Sequence, residues 1–140
     1  MRRPIIYRDP LNRCFGCGPA NPRGLQLTFV ETDDGVEVEY VAPAAVQGAP
    51  GVVHGGIQAT LLDETLCMTA YAKVGMSVVT GELTVRYLRP APTGTPLVAR
   101  GRIVEEKAKG WIIEGTIHLV ATGEALTQAR GRFFPQANVS

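Results

Sequence analysis

The sequence predicts an α+β fold in which one antiparallel sheet covers one long helix. Three observations carry that expectation. First, a single run from Gly55 to Ala72 is apolar on nearly every helical face, with Asp63 and Glu64 as its only charged residues. Second, two segments before it and four after it alternate apolar and polar residues, the period of half-buried strands. Third, no internal repeat or break in composition divides the 140 residues, and 45% hydrophobic content suits one core of ordinary size. The helix must bury its apolar surface on the sheet's inner face, which leaves few arrangements.

Residues 1–24, rich in Pro, Gly, Arg and Asn, read as an irregular lead-in, and residues 25–140 as a single domain. Leu25 to Glu31 alternates as a strand, Asp33-Asp34-Gly35 turns the chain, and Val36 to Val41 completes a hairpin. A Pro/Gly/Ala loop from Ala42 to Gly51 leads into the helix, which Gly75 is placed to end. Ser77 to Leu88 is a long strand, stopped by Arg89-Pro-Ala-Pro. Leu97 to Glu105 and Trp111 to Val120 follow, joined by a turn at Lys107 to Gly110, and Thr122-Gly123 introduces a last strand, Ala125 to Phe134. Phe29, Met68, Tyr71 and Trp111 are candidates either for lining a ligand tunnel or for ordinary core.

Charge excludes little and suggests less. Fourteen basic and thirteen acidic residues leave a formal charge of +1, which makes no general case for nucleic acid or an anionic membrane surface. The first residues lack a signal peptide's apolar run, and no segment is long and apolar enough to span a bilayer. A cytoplasmic protein is the expectation. Cys14, Cys17 and Cys67 are an odd number, against a disulfide framework. Cys14-Phe-Gly-Cys17 has the spacing of half a zinc knuckle. The second pair is missing, so neither a metal nor another cofactor is expected.

The chemistry suggested by the helix lies at two places. Gly55 and Gly56 open it, where backbone N–H groups are unpaired and the helix dipole is positive. An oxyanion developing there would be stabilised, and glycine leaves the approach unobstructed. Asp63, deep in apolar surroundings, is the candidate general base or nucleophile, its bland alternative being an acid satisfied by a neighbouring loop.

Taken together, Cys14-Phe-Gly-Cys-Gly-Pro-Ala-Asn-Pro-Arg-Gly-Leu25, Gln47-Gly48, Gly51-Val-Val-His-Gly-Gly56, Leu61-Leu-Asp-Glu64 and Leu83-Thr-Val-Arg-Tyr-Leu-Arg-Pro-Ala91 resemble the hotdog-fold acyl-CoA thioesterases of the phenylacetate-pathway and 4-hydroxybenzoyl-CoA type. The resemblance implies a curled antiparallel sheet wrapped around one long central helix. It implies Asp63 as the catalytic acid, nine residues after His54, with Glu64 outside the match. It places Thr80 as the hydroxyl residue on the strand after the helix, and Gly55 as the backbone donor to the thioester carbonyl. His54 would lie near the oxyanion pocket, orienting the loop or touching the acyl group. Some relatives carry Asn where this chain has Gly48, which leaves Gln47 or Gly48 to meet water or thioester. Gly56 would line the substrate, and Arg89, with Arg86, Lys107 and Lys109, would offer positive charge to coenzyme A phosphates. The substrate class so implied is an acyl-CoA or acyl-carrier thioester. Two alternatives stay open on the same fold: an acyl-thioester hydratase or dehydratase, and a non-catalytic acyl-CoA-binding module.

One consequence follows from helix geometry alone. Asp63 lies eight residues beyond Gly55, about 12 Å along the axis at the α-helical rise of about 1.5 Å per residue. A donor at one and an acid at the other cannot meet a single carbon from one straight helix. Two helices side by side in a symmetric homodimer solve this, each bringing its N-terminus to the other's middle, with a dimer of dimers as the larger expected assembly.

Overall fold

The apolar run folds as one uninterrupted helix, α1 (Gly55–Val74), in a computed structural model that describes residues 2–4 and 10–136. Both ends are capped. The His54 ring accepts a hydrogen bond from the Gly56 N–H, and Gly75 takes the left-handed conformation (φ 81°) while its N–H donates to Tyr71 O at 3.0 Å. Leu61, Leu62, Leu66 and Ala70 are buried. Thr65 and Thr69 share that buried face without stranding their hydroxyls, which donate to Leu61 O and Thr65 O one turn earlier.

Among the described residues seven strands make the sheet: β1 (Arg3–Pro4), β2 (Val30–Glu31), β3 (Gly35–Val41), β4 (Val78–Tyr87), β5 (Pro96–Glu106), β6 (Trp111–Leu119) and β7 (Ala125–Pro135). Their spatial order is β1-β2-β3-β5-β6-β7-β4, every neighbour antiparallel. The helix packs against β3, β4, β5, β6 and β7, the wrapped arrangement that the sequence predicts. Close seating depends on Gly101 and Gly115, which pair across β5 and β6. A Cβ at Gly101 would stand 2.5 Å from Thr69 Oγ1, and one at Gly115 2.7 Å from Leu66 Cδ2, so the floor under the helix must be free of side chains. Around it Phe29, Val36, Leu97, Ile113, Ile117 and Phe133 fill the core. Phe29, Met68 and Trp111 belong to this core, whereas Tyr71 is exposed.

Two expectations need correction at the N-terminal side. The strand expected over Leu25 to Glu31 pairs only at Val30–Glu31. Gln26 is left-handed (φ 51°), and the N–H groups of Leu25 and Leu27 donate to Phe15 O at 2.8 Å and Gly16 O at 2.9 Å, so this backbone bonds to the lead-in while Leu27 and Phe29 still bury. The lead-in is correspondingly less irregular than its composition suggests. Arg3 and Pro4 pair with Glu31 and Val30, and Arg2 and Arg3 form ion pairs with Glu37 and Glu31. Among the described residues, no helix is long and apolar enough to cross a membrane.

Lys73, in the last turn of α1, ties the helix to the β2–β3 hairpin by donating to Glu31 Oε2 at 3.0 Å and Thr32 O at 2.5 Å. The Lys73 hydrogen bond, followed by the charges of Lys73 and Arg3, holds the Glu31 carboxyl below the ordinary 4.5. A depressed folded-state value makes this contribution present above the unfolded value and lost as pH falls through the folded one. Glu31→Gln should therefore be less stable than wild type at neutral pH, and the gap should close as pH drops below 4.5. Denaturant midpoints measured across pH check this; a gap independent of pH would contradict it.

Candidate active site

The chain reaches α1 through a loop whose backbone is almost fully engaged. His54 N–H donates to Val46 O at 2.9 Å and Val53 N–H to Ala91 O at 2.8 Å, and Gln47 bridges Val53. Gln47 Oε1 accepts from Gly51 N–H at 3.2 Å, and Gly51 is left-handed (φ 76°), which favours glycine there. Beneath the loop, buried Gln58 donates to Val53 O at 2.9 Å and accepts from Thr127 Oγ1 at 2.6 Å. Tyr87 of β4 donates to Gly55 O at 2.7 Å.

This network decides which helix N–H remains for a ligand. Ile57 and Gln58 N–H both donate to His54 O at 3.0 Å. Gly56 N–H donates to His54 Nδ1 at 2.9 Å, which requires Nδ1 unprotonated and takes Gly56 out of the donor role expected for it. Gly55 N–H has no acceptor among the described residues. His54 is thus the helix cap, and among the described residues Gly55 presents the unpaired N–H at the positive end of α1. Gly48 lies against His54, where a Cβ would come within 3.2 Å of its Cα.

The two helix acids point to different neighbours, and both are half-buried rather than enclosed. Asp63 Oδ1 accepts from Thr80 Oγ1 at 2.5 Å, joining the helix to β4, the edge strand of the sheet. Cys67 Sγ is 3.6 Å from the same hydroxyl. Burial, with the Asp63 charge next, pushes the Cys67 thiol up to about 12, so it is no thiolate nucleophile at neutral pH. Glu64 instead accepts from Cys14 Sγ at 3.1 Å.

The cations expected for coenzyme A phosphates are dispersed. Arg89 pairs with Glu124 at 2.9 Å and Lys107 with Glu105 at 3.1 Å, while Arg86 lines an outward groove with Arg100, Arg102 and Arg130. Gln47 and His54 border a cleft of about 750 Å³ with Phe15, Leu25, Tyr40 and Val46. Sequence reading passes over Gln58, Tyr87 and Cys67 as site residues. A buried-helix glutamine was the available signal for Gln58; nothing local in sequence announces the reach of Tyr87 to Gly55.

A sequence profile of the thioesterase superfamily matches residues 50–125, more than half of the chain and the whole stretch from the helix-entry loop into β7. The chain belongs to the thioesterase superfamily. Its fold matches the crystal structure of RHA08564, a thioesterase superfamily protein, with a TM-score of 0.76 and 30% identity over 90% of this chain and 59% of that one. BH2602 of Bacillus halodurans, solved with CoA, matches with a TM-score of 0.63 and 34% identity over 70% of this chain and 65% of that one. Among curated relatives, the acyl-coenzyme A thioesterase THEM4 of Rattus norvegicus is 32% identical over 63% of this chain and 37% of its own length. The isoleucine–tRNA ligase of Cupriavidus metallidurans is 27% identical over 93% of this chain and 14% of its own length. The chain spans between 14% and 37% of the length of four curated relatives it matches. The hotdog architecture expected from the sequence is therefore the fold of this protein.

Gln58→Leu should lower unfolding stability by about 1–3 kcal/mol, because it leaves Val53 O and the Thr127 hydroxyl buried without their partner. Equilibrium denaturation checks the value. A neutral effect would mean that the loop does not lean on this glutamine.

Proposed function

We propose that this protein hydrolyses acyl-CoA or acyl-carrier thioesters to free acid and thiol, at sites shared by two chains of a homodimer. The observation that carries the reading is the contrast within α1: Gly55 N–H is left unpaired, while Asp63 is tied by Thr80 at 2.5 Å. In this reading the acyl carbonyl lies against Gly55 N–H of one protomer and its carbon faces Asp63 of the partner. Asp63 takes a proton from water as the water oxygen attacks the carbonyl carbon, or attacks directly to form a mixed anhydride that water then opens. Negative charge gathers on the carbonyl oxygen, where one preorganised N–H contributes about 3–4 kcal/mol. The carbon–sulfur bond breaks on collapse; on the general-base route the departing thiolate recovers the proton held by Asp63, and on the anhydride route it takes a proton from the water that opens the anhydride.

Thr80 donates its hydroxyl proton to Asp63, which aims the carboxylate, and its oxygen keeps acceptor capacity for the attacking water beside the Cys67 thiol. The position of β4 supports the shared site. It is a ten-residue edge strand with one neighbour among the described residues, Thr80 and Tyr87 on it are exposed, and an edge of that length suits pairing with a second copy. The names of THEM4 and of the CoA-bound BH2602 structure support the thioester class.

Asp63→Asn keeps the shape but removes base and nucleophile, and should lower thiol release by at least about a hundredfold. Glu64→Gln should change it far less. Assays across short, long and aromatic acyl-CoAs and carrier thioesters read this directly. Wild-type rates from folded Asp63→Asn would remove that residue from the site; hydration of crotonyl-CoA without thiol release would favour the hydratase reading, and binding without turnover the inert module.

A further inference from the structure

Glu64 is the helix acid that thioester hydrolysis leaves unused, and its surroundings are unusual. It is half-buried, and among the described residues it forms no ion pair with Lys or Arg. Its neighbours are two thiols: one carboxylate oxygen and the Sγ atoms of Cys14 and Cys17 all lie within 4.8 Å of one another. Cys14 Sγ donates to Glu64 Oε1 at 3.1 Å.

The lead-in is shaped around this cluster. Gly16 lies between the cysteines without a left-handed backbone, so no turn demands glycine there. A Cβ on it would fall 2.0 Å from Glu64 Cγ; the missing side chain is what admits the carboxylate. Gly18 N–H closes the turn on Cys14 O at 2.8 Å, and a Cβ there would meet Cys14 N at 2.3 Å. Asn12 braces both cysteines, accepting from Cys14 N–H at 2.9 Å and reaching Cys17 Sγ with Nδ2 at 3.8 Å.

The geometry points to a tetrahedral metal site of the zinc class, held by Cys14, Cys17 and Glu64. Zinc takes sulfur at about 2.3 Å and carboxylate oxygen at about 2.0–2.2 Å, so its ligand atoms stand roughly 3.5–3.8 Å apart, a small contraction of the cluster. Two sulfurs with one oxygen in a tetrahedral arrangement suit Zn²⁺ over the hard, six-coordinate ions. Each cysteine binds as thiolate and releases one proton to solvent, Glu64 binds as carboxylate, and water fills the fourth corner. Half a knuckle lacks a second cysteine pair in the sequence; the fold brings its third ligand from 50 residues away. A metal here would staple the lead-in to the turn of α1 that also carries Asp63.

Protein purified without chelator should contain one zinc per chain by elemental analysis. Stripped protein titrated with Co²⁺ should develop a thiolate-to-cobalt charge-transfer band that saturates at one equivalent. Cys14→Ser should abolish both. Glu64→Gln should keep the band and weaken Zn²⁺ affinity at least about tenfold against a competing chelator, whereas Asp63→Asn should bind like wild type. If Cys14→Ser does not fold, the wild-type cobalt titration and Glu64→Gln still decide. Failure of the reduced wild-type protein to bind either ion would overturn the site. So would a Cys14–Cys17 disulfide in freshly purified protein, unchanged affinity in Glu64→Gln, or half a metal per chain from two chains pooling their cysteines.

Discussion

Gly101 and Gly115 face each other across β5 and β6 directly beneath the middle of α1, and the rest of the molecule is arranged around the contact they permit. A methyl group at either position would lift the helix from the sheet, because Thr69 and Leu66 already occupy that space. Seated this way, α1 is gripped at its N-terminus by His54, Gln58 and Tyr87 and at its C-terminus by Gly75 and Lys73. A helix pinned along its length cannot bend its first amide toward its third turn. The separation of Gly55 from Asp63 is therefore a fixed quantity that any chemistry has to accommodate.

Sequential neighbours on such a helix diverge by about 100°. Asp63 and Glu64 accordingly face different parts of the fold, one toward the hydroxyl of Thr80 on the edge strand, the other toward the thiols of the lead-in. The same rigidity gives each acid a separate set of partners. Thr80 is exposed on the edge strand, while Glu64 lies half-buried against the thiols of Cys14 and Cys17.

Much of this was legible in the chain because period and punctuation are local signals. The helix ran from Gly55 and stopped at Gly75, and the strands of the second half came within two residues of their ends, since alternation there coincides with ladder pairing. Leu25 to Glu31 misled for the opposite reason: its alternation reports burial of Leu27 and Phe29, whereas its backbone hydrogen bonds go to Phe15 and Gly16. At the site, the family resemblance pointed to Asp63 by its spacing from His54, to Thr80 by its place before Tyr87, and to Gly55 as a backbone donor. It could not reveal that Gly56 N–H is consumed by the His54 ring, that Arg89 is matched by Glu124, or that Glu64 meets Cys14, because those are contacts across the fold.

The central claim is that Gly55 of one chain and Asp63 of another complete one site. Proline at Gly55 removes the N–H with little other damage. It is the first helical position, where proline is favoured, His54 already holds the extended backbone (φ −54°, ψ 137°) that a following proline requires, and a Cβ there would only touch the Tyr87 hydroxyl at 3.4 Å. The decisive measurement mixes inactive Gly55→Pro chains with inactive Asp63→Asn chains and follows thiol release. In a mixed dimer one site inherits both defects and the other neither. Random equal mixing makes half the dimers mixed, so recovery to about a quarter of wild-type activity is the predicted result. No recovery, with mixed dimers verified by mass, would contradict the shared site.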